Sequence, residues 1–129
     1  EGILSESLNE DFVRDNKGNL VDPYHLSHVY QFNAKNSENI GVFFRNSAMA
    51  NLIGFEYPNF DSLHAANDLY ERIKIIQTKL QNSPQDSHIL TIAMDGENCW
   101  ENFAHDGEIF LNTLYSLIEN DKSLLLSSM

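Results

Sequence analysis

The sequence predicts an α/β domain in which helices alternate with parallel strands. Two nearly continuous apolar runs, residues 40–44 and 89–94, have the pattern of strands that are covered on both faces of a parallel sheet. One amphipathic helical pattern separates these runs and a second one follows them. The alternation favours a parallel α/β unit over an all-α or all-β domain, and it places functional groups where strands end and loops begin.

Each element has its own local signal. Residues 15–19 are polar, contain a glycine and lie between two short extended pieces, which predicts a hairpin or tight loop. A helix is predicted over about residues 61–80, because apolar side chains recur at helical spacing and Asp61 or Ser62 can cap its start. A second helix is predicted to begin near Asp106, and its apolar stripe consists of Phe110, Leu114, Leu117 and Ile118.

Length and charge limit the classes of partner. The 129 residues suit one domain with a single core, and a hydrophobic content of 42% is enough to form it. The net charge of −11 repels phosphate backbones and anionic lipid, so nucleic acid and membrane partners are disfavoured. The chain begins on Glu1 without a methionine, and we expect it to be an excised segment of a larger catalytic domain.

The expected compartment is the cytoplasm. No apolar stretch approaches the roughly 20 residues that span a bilayer, and the amino end lacks the basic start of a signal peptide. Cys99 is the single cysteine, so it cannot form an internal disulfide.

Carboxylates next to an aromatic side chain follow the second predicted strand. Asp95 and Glu97 project to the same side of an extended strand end, Gly96 permits a sharp turn, and Trp100 offers a flat face. Glycoside chemistry uses such a set, because one acid protonates the leaving oxygen and an aromatic ring stacks on the sugar. The alternative is an ordinary Asp-Gly turn with a solvated Glu97 and a half-buried Trp100, which is the commoner arrangement.

Other chemistries have weaker support. Magnesium held by Asp95, Glu97 and Asp106 is disfavoured, because the chain has no glycine-rich phosphate loop and no cation near that strand end. His25 and His28 have no third ligand at zinc spacing, which favours a packing role for both.

Arg45 ends the first predicted strand. Its guanidinium could hold a carboxylate or bind sugar hydroxyls, or it could form a structural ion pair with one of the many acidic residues. The sequence leaves both interpretations open.

Three blocks of the sequence resemble glycoside hydrolase family 57, which contains α-amylases, amylopullulanases, glucan-branching enzymes and glucanotransferases. Residues 94–101 are similar to the family's Asp-Gly-Glu-Asn-x-Trp-Glu block. Residues 43–45 and 52–55 resemble its Phe-Phe-Arg block running into Leu-Ile-Gly-Phe, and residues 1–8 resemble a third block. Order and spacing agree along almost the whole chain.

The resemblance implies a portion of an incomplete (β/α) barrel that cleaves or transfers α-glucosidic bonds with retention and without a cofactor. It assigns the role of general acid/base to Asp95. The nucleophilic glutamate belongs to an earlier block of the family that has no match in residues 1–129. The isolated chain is therefore expected to be inactive, and its expected partners are the rest of its catalytic domain and an α-glucan or oligosaccharide substrate.

The sequence also departs from the family pattern. Asn46-Ser47 stand where many relatives have Asp-His, and Ala50-Asn51 stand where they have Ser-Asp. These exchanges remove a carboxylate and an imidazole from the expected sugar site.

Together, these observations predict part of a retaining α-glucan-active glycosidase or transferase. In this hypothesis Asp95 is catalytic, Arg45 organises the site, Glu97 and Trp100 bind or support the sugar, and no residue binds a metal. The alternative is a non-catalytic carbohydrate-binding or protein-interaction module that kept the scaffold.

Overall fold

The computed structural model describes residues 1–33, 39–84, 87–96 and 100–127, which fall into two compact units. The first unit comprises Glu1–Ala50 and Ile76–Ala93, and the second comprises Asn51–Ile75 and Met94–Met129. The described residues form four α-helices and one two-stranded antiparallel sheet. The mixture of helices and strands confirms the predicted α/β class.

The first unit begins with helix α1 (Gly2–Leu8), which the sequence did not predict. The predicted turn at residues 15–19 is confirmed: the Asp15 carboxylate accepts the backbone N–H groups of Lys17 and Asn19, both at 2.9 Å. These hydrogen bonds lower the pKa of the Asp15 carboxyl, and the hydrogen bond from the Asn19 N–H has the largest effect. A small apolar core forms around the turn from Leu4, Leu20 and Leu26, with Leu8, Phe12, Tyr30 and Phe44 packed against it.

Strands β1 (Val29–Asn33) and β2 (Asn39–Phe43) pair antiparallel, with Val29 opposite Phe43 and Asn33 opposite Asn39. The expectation that residues 40–44 form a buried parallel strand is wrong. The run pairs with the segment just before it in sequence, as antiparallel neighbours joined by a short connection do, and most of β2 is exposed.

The expectation of a second parallel strand at residues 89–94 is also wrong. Among the described residues, parallel pairing is limited to a single bridge between Arg45 and Thr91, in which the Asn46 N–H donates to the Thr91 carbonyl at 3.3 Å. Ile89 and Ile92 are exposed, so the apolar run is not enclosed between two layers of helices.

Both predicted helices are confirmed. Helix α3 (Ser62–Leu80) follows the short helix α2 (Ser47–Asn51), a π-helical turn (Leu52–Glu56) and a 3-10 turn (Tyr57–Asn59). Asp61 caps α3, because its carboxylate accepts the His64 N–H at 3.0 Å. Helix α4 (Glu108–Asn120) begins after a 3-10 turn (Ala104–Gly107). The helices bury apolar side chains at helical spacing, on α3 Ala65, Ala66, Leu69, Ile73, Ile76 and Leu80, and on α4 Phe110, Leu114 and Ile118.

Candidate active site

Asp95 lies at the start of the second segment of the second unit and is exposed, as is Gly96. The exposed Asp95 carboxylate is accessible from solvent, but it does not follow the buried strand that the sequence predicted, and its catalytic role stays a prediction. Glu97, Asn98 and Cys99 lie outside the described residues, so the predicted role of Glu97 stays a prediction.

Trp100 belongs to an aromatic cluster in the second unit. Its ring centre lies 5.5 Å from that of Phe103 and 6.1 Å from that of Phe110, and the last two are 5.1 Å apart. Phe103 and Phe110 are buried, whereas Trp100 is half-buried. Trp100 is therefore the half-buried anchor that the sequence offered as one alternative, and its predicted contact with a sugar stays a prediction.

An unusual backbone turn supports Trp100. His105, Asp106 and Gly107 all have positive φ, at 53°, 51° and 78°. A Cβ atom on residue 107 would lie 3.0 Å from Cε3 of Trp100, a contact so tight that the ring would have to shift by a few tenths of an ångström. Sequence reasoning missed this turn, although an Asp-Gly pair before a helix is a signal for it.

Tyr57 extends the aromatic cluster towards helix α3. Its ring centre lies 5.9 Å from that of Phe110, the residue is fully buried, and its hydroxyl donates to Asp68 at 2.6 Å. Arg72 Nε donates to the same carboxylate oxygen at 2.7 Å. Burial, reinforced by the bond to Asp68, raises the pKa of Tyr57, which keeps its hydroxyl protonated as a donor.

The Asp68 carboxylate stays ionised in this bridge. Desolvation acts to raise its pKa, but the hydrogen bonds from Arg72 and Tyr57 outweigh it, and the pKa lies below the ordinary value. The i,i+4 spacing of Asp68 and Arg72 is a sequence signal for this ion pair, which our sequence reasoning did not use.

Arg45 belongs to the first unit, whereas Asp95 and Trp100 belong to the second. Arg45 is exposed, and its Nη1 donates to the Ala93 carbonyl at 3.4 Å. Together with the bridge to Thr91, this contact joins residue 45 to residues 91–93 of the same unit. Arg45 thus holds a main-chain segment.

Asn46, one of the positions that depart from the family pattern, has a structural role. It is buried, and its side-chain oxygen accepts the Met49 N–H at 3.3 Å and an Arg14 N–H at 3.4 Å. Arg14 also binds the Glu1 carboxylate, which accepts the Ser47 N–H at 3.0 Å. Asn46 therefore caps α2 inside a hydrogen-bonded network, as an aspartate would.

Two further properties concern metals and membranes. Within the described ranges, no group of three or more His, Cys, Asp or Glu side chains is arranged to hold a metal ion. No helix in the described part of the chain is long and apolar enough to cross a membrane.

The chain belongs to glycosyl hydrolase family 57, whose sequence model matches residues 3–129. This membership confirms the family that the three sequence blocks indicated, and it implies a carbohydrate substrate. No curated protein and no solved structure matches the chain.

Proposed function

We propose that the chain is part of a retaining enzyme that hydrolyses or transfers α-glucosidic bonds of α-glucans, and that Asp95 is its general acid/base. The observation that supports this most is the family match over residues 3–129, within which Asp95-Gly96 begins the Asp-Gly-Glu block. The exposure of Asp95 fits the role, because an acid must reach the glycosidic oxygen of the substrate.

The proposal gives supporting roles to three other residues. Trp100 provides a ring face for the sugar, Glu97 contacts the sugar or supports Asp95, and Arg45 positions the backbone through Ala93. The second carboxylate comes from the remainder of the catalytic domain, of which this chain is one portion of an incomplete barrel. The proposed location of the enzyme is the cytoplasm.

The alternative is a non-catalytic carbohydrate-binding or protein-interaction module. The residues that favour it are Asn46 and Ser47, because they replace the acidic and imidazole side chains that many relatives carry. An amide held in a helix cap cannot exchange protons with a substrate.

The experiment compares Asp95→Asn with Asp106→Asn in an enzyme that contains this chain, using maltooligosaccharide as substrate. Asp106 is an exposed aspartate of the same unit, and asparagine tolerates its positive φ, so this variant is a matched control. We expect Asp95→Asn to lose about 10²- to 10⁴-fold in rate while the control keeps its rate. Equal rates in both variants would refute the catalytic role, and an unmodified enzyme without turnover would favour the non-catalytic module.

A further inference from the structure

Two histidines from distant parts of the first unit lie side by side. His28 follows the 3-10 turn Tyr24–Ser27, and His88 precedes Ile89, whose N–H donates to the Ser27 carbonyl at 3.1 Å. The two imidazole ring centres are 5.7 Å apart and the ring planes are at 84°. The backbone bond between the two segments therefore holds the rings together.

Each imidazole has one nitrogen bound to the protein and one left over. His28 Nδ1 lies 2.5 Å from the Tyr24 carbonyl oxygen, which can only accept, so Nδ1 carries the proton and Nε2 has a free lone pair. His88 Nε2 lies 2.7 Å from the Ser83 hydroxyl. His28 Nε2 and His88 Nδ1 are both shielded from solvent, and neither has a hydrogen-bond partner among the residues that the structure describes.

We propose that His28 Nε2 and His88 Nδ1 bind a transition-metal ion of the zinc class. Metal-binding histidines usually donate their other ring N–H to a carbonyl or similar acceptor, and both rings have an oxygen in that position. With zinc about 2.0–2.1 Å from each nitrogen, the centres of two bound imidazoles lie about 5–6 Å apart. The distance of 5.7 Å between the ring centres of His28 and His88 falls in this range.

The ion that suits this site follows from its ligands. Neutral imidazole prefers zinc, copper or nickel over magnesium or calcium, which take oxygen ligands. Within the described residues, no third His, Cys, Asp or Glu side chain joins the two histidines, so the remaining coordination positions are left to water that enters with the ion. Two protein ligands instead of the usual four make a labile site, for which we expect a Kd on the order of 1–100 µM.

Motif spacing does not reveal this site, because its two ligands, His28 and His88, are far apart along the chain. His25, three residues before His28, is the neighbour that spacing suggests, but its Nε2 lies 3.5 Å from the Glu10 carboxylate. The second imidazole beside His28 is instead that of His88, which directly precedes the second apolar run.

The test titrates the 129-residue chain with zinc by calorimetry near pH 7.5, where free imidazole side chains are mostly neutral. We expect one site, a loss of affinity of at least about tenfold in His28→Gln and in His88→Gln, and no heat with magnesium. His25→Gln is the matched control from the same turn and should keep the wild-type affinity, and circular dichroism checks that each variant is folded.

Nitrogen-15 spectra of the unmodified chain give a readout that needs no substitution. Zinc should shift the resonances of His28 Nε2 and His88 Nδ1 and leave those of His64 and His105 in place. Unchanged resonances, or equal affinity in all three variants, would overturn the proposal.

Discussion

Gly107 is the residue whose missing side chain makes room for Trp100. Its φ of +78° is costly for any residue with a Cβ, and that Cβ would also meet the tryptophan ring at 3.0 Å. The backbone of this turn and the position of the proposed sugar-stacking ring are therefore coupled through one glycine.

We predict that Gly107→Ala destabilises the chain more than Gly18→Ala does. Gly18 has nearly the same φ, +77°, but a Cβ there meets nothing within 4 Å, so it is a matched control for the backbone cost alone. That shared cost is about 1–2 kcal/mol, and the collision with Trp100 adds about 1–3 kcal/mol to the loss in Gly107→Ala.

Urea unfolding measures the loss in free energy of unfolding for both variants. Fluorescence reports on the ring itself, because Trp100 is the single tryptophan of the chain. The emission should shift in Gly107→Ala and stay unchanged in Gly18→Ala. Equal losses with identical emission spectra would show that the glycine does not position the ring.

At the scale of elements, the sequence predicted α3 and α4 well and the strands poorly. Helix formation depends on residues three and four apart, so the apolar spacing and the cap at Asp61 were enough to place α3 within one residue. Strand pairing depends on which other segment supplies the partner and on what covers each face, and an apolar run does not contain that information. The run at residues 40–44 therefore suggested burial that β2 does not have.

The bridge between Tyr57, Asp68 and Arg72 makes the stability of α3 depend on pH. The folded state lowers the pKa of Asp68, so its contribution is present above the unfolded value of about 3.9 and is lost as pH falls through the folded value. We predict that Asp68→Asn lowers the free energy of unfolding near pH 6 and has a smaller effect near pH 3, below the unfolded pKa.

Urea titrations of the wild-type chain and of Asp68→Asn at both pH values test the prediction. Glu71→Gln removes the same charge from an exposed position on α3 and serves as the control. A loss in Asp68→Asn that is the same at both pH values would mean that the carboxylate charge contributes nothing.

At the scale of the whole molecule, the sequence motifs identified the family but not the arrangement of the parts. The Asp-Gly-Glu and Phe-Phe-Arg blocks are short motifs of consecutive residues. The match over residues 3–129 confirms the family that they indicated. The aromatic cluster that supports Trp100 arises from contacts between residues 57, 100, 103 and 110. These residues are spread along the sequence, so no single motif contains them.

We predict that the pure 129-residue chain does not turn over α-glucans. A retaining mechanism needs a second carboxyl group about 5–5.5 Å from the acid, and the family's nucleophile block has no match in this sequence. Chromatography of maltooligosaccharide incubated with the chain checks this, with Asp95→Asn as the background. Turnover above that background would mean that the nucleophile lies within these residues.

The central claim is that Asp95 delivers the proton to the leaving group, and leaving-group dependence tests it most directly. The measurement is the first-step rate of Asp95→Asn, in an enzyme that contains this chain, on a natural glucan and on a glucosyl fluoride. Fluoride departs with little need for protonation, so we expect a loss of about 10²- to 10⁴-fold on the glucan and a far smaller loss on the fluoride. Equal losses on both substrates would contradict the account and place the acid elsewhere.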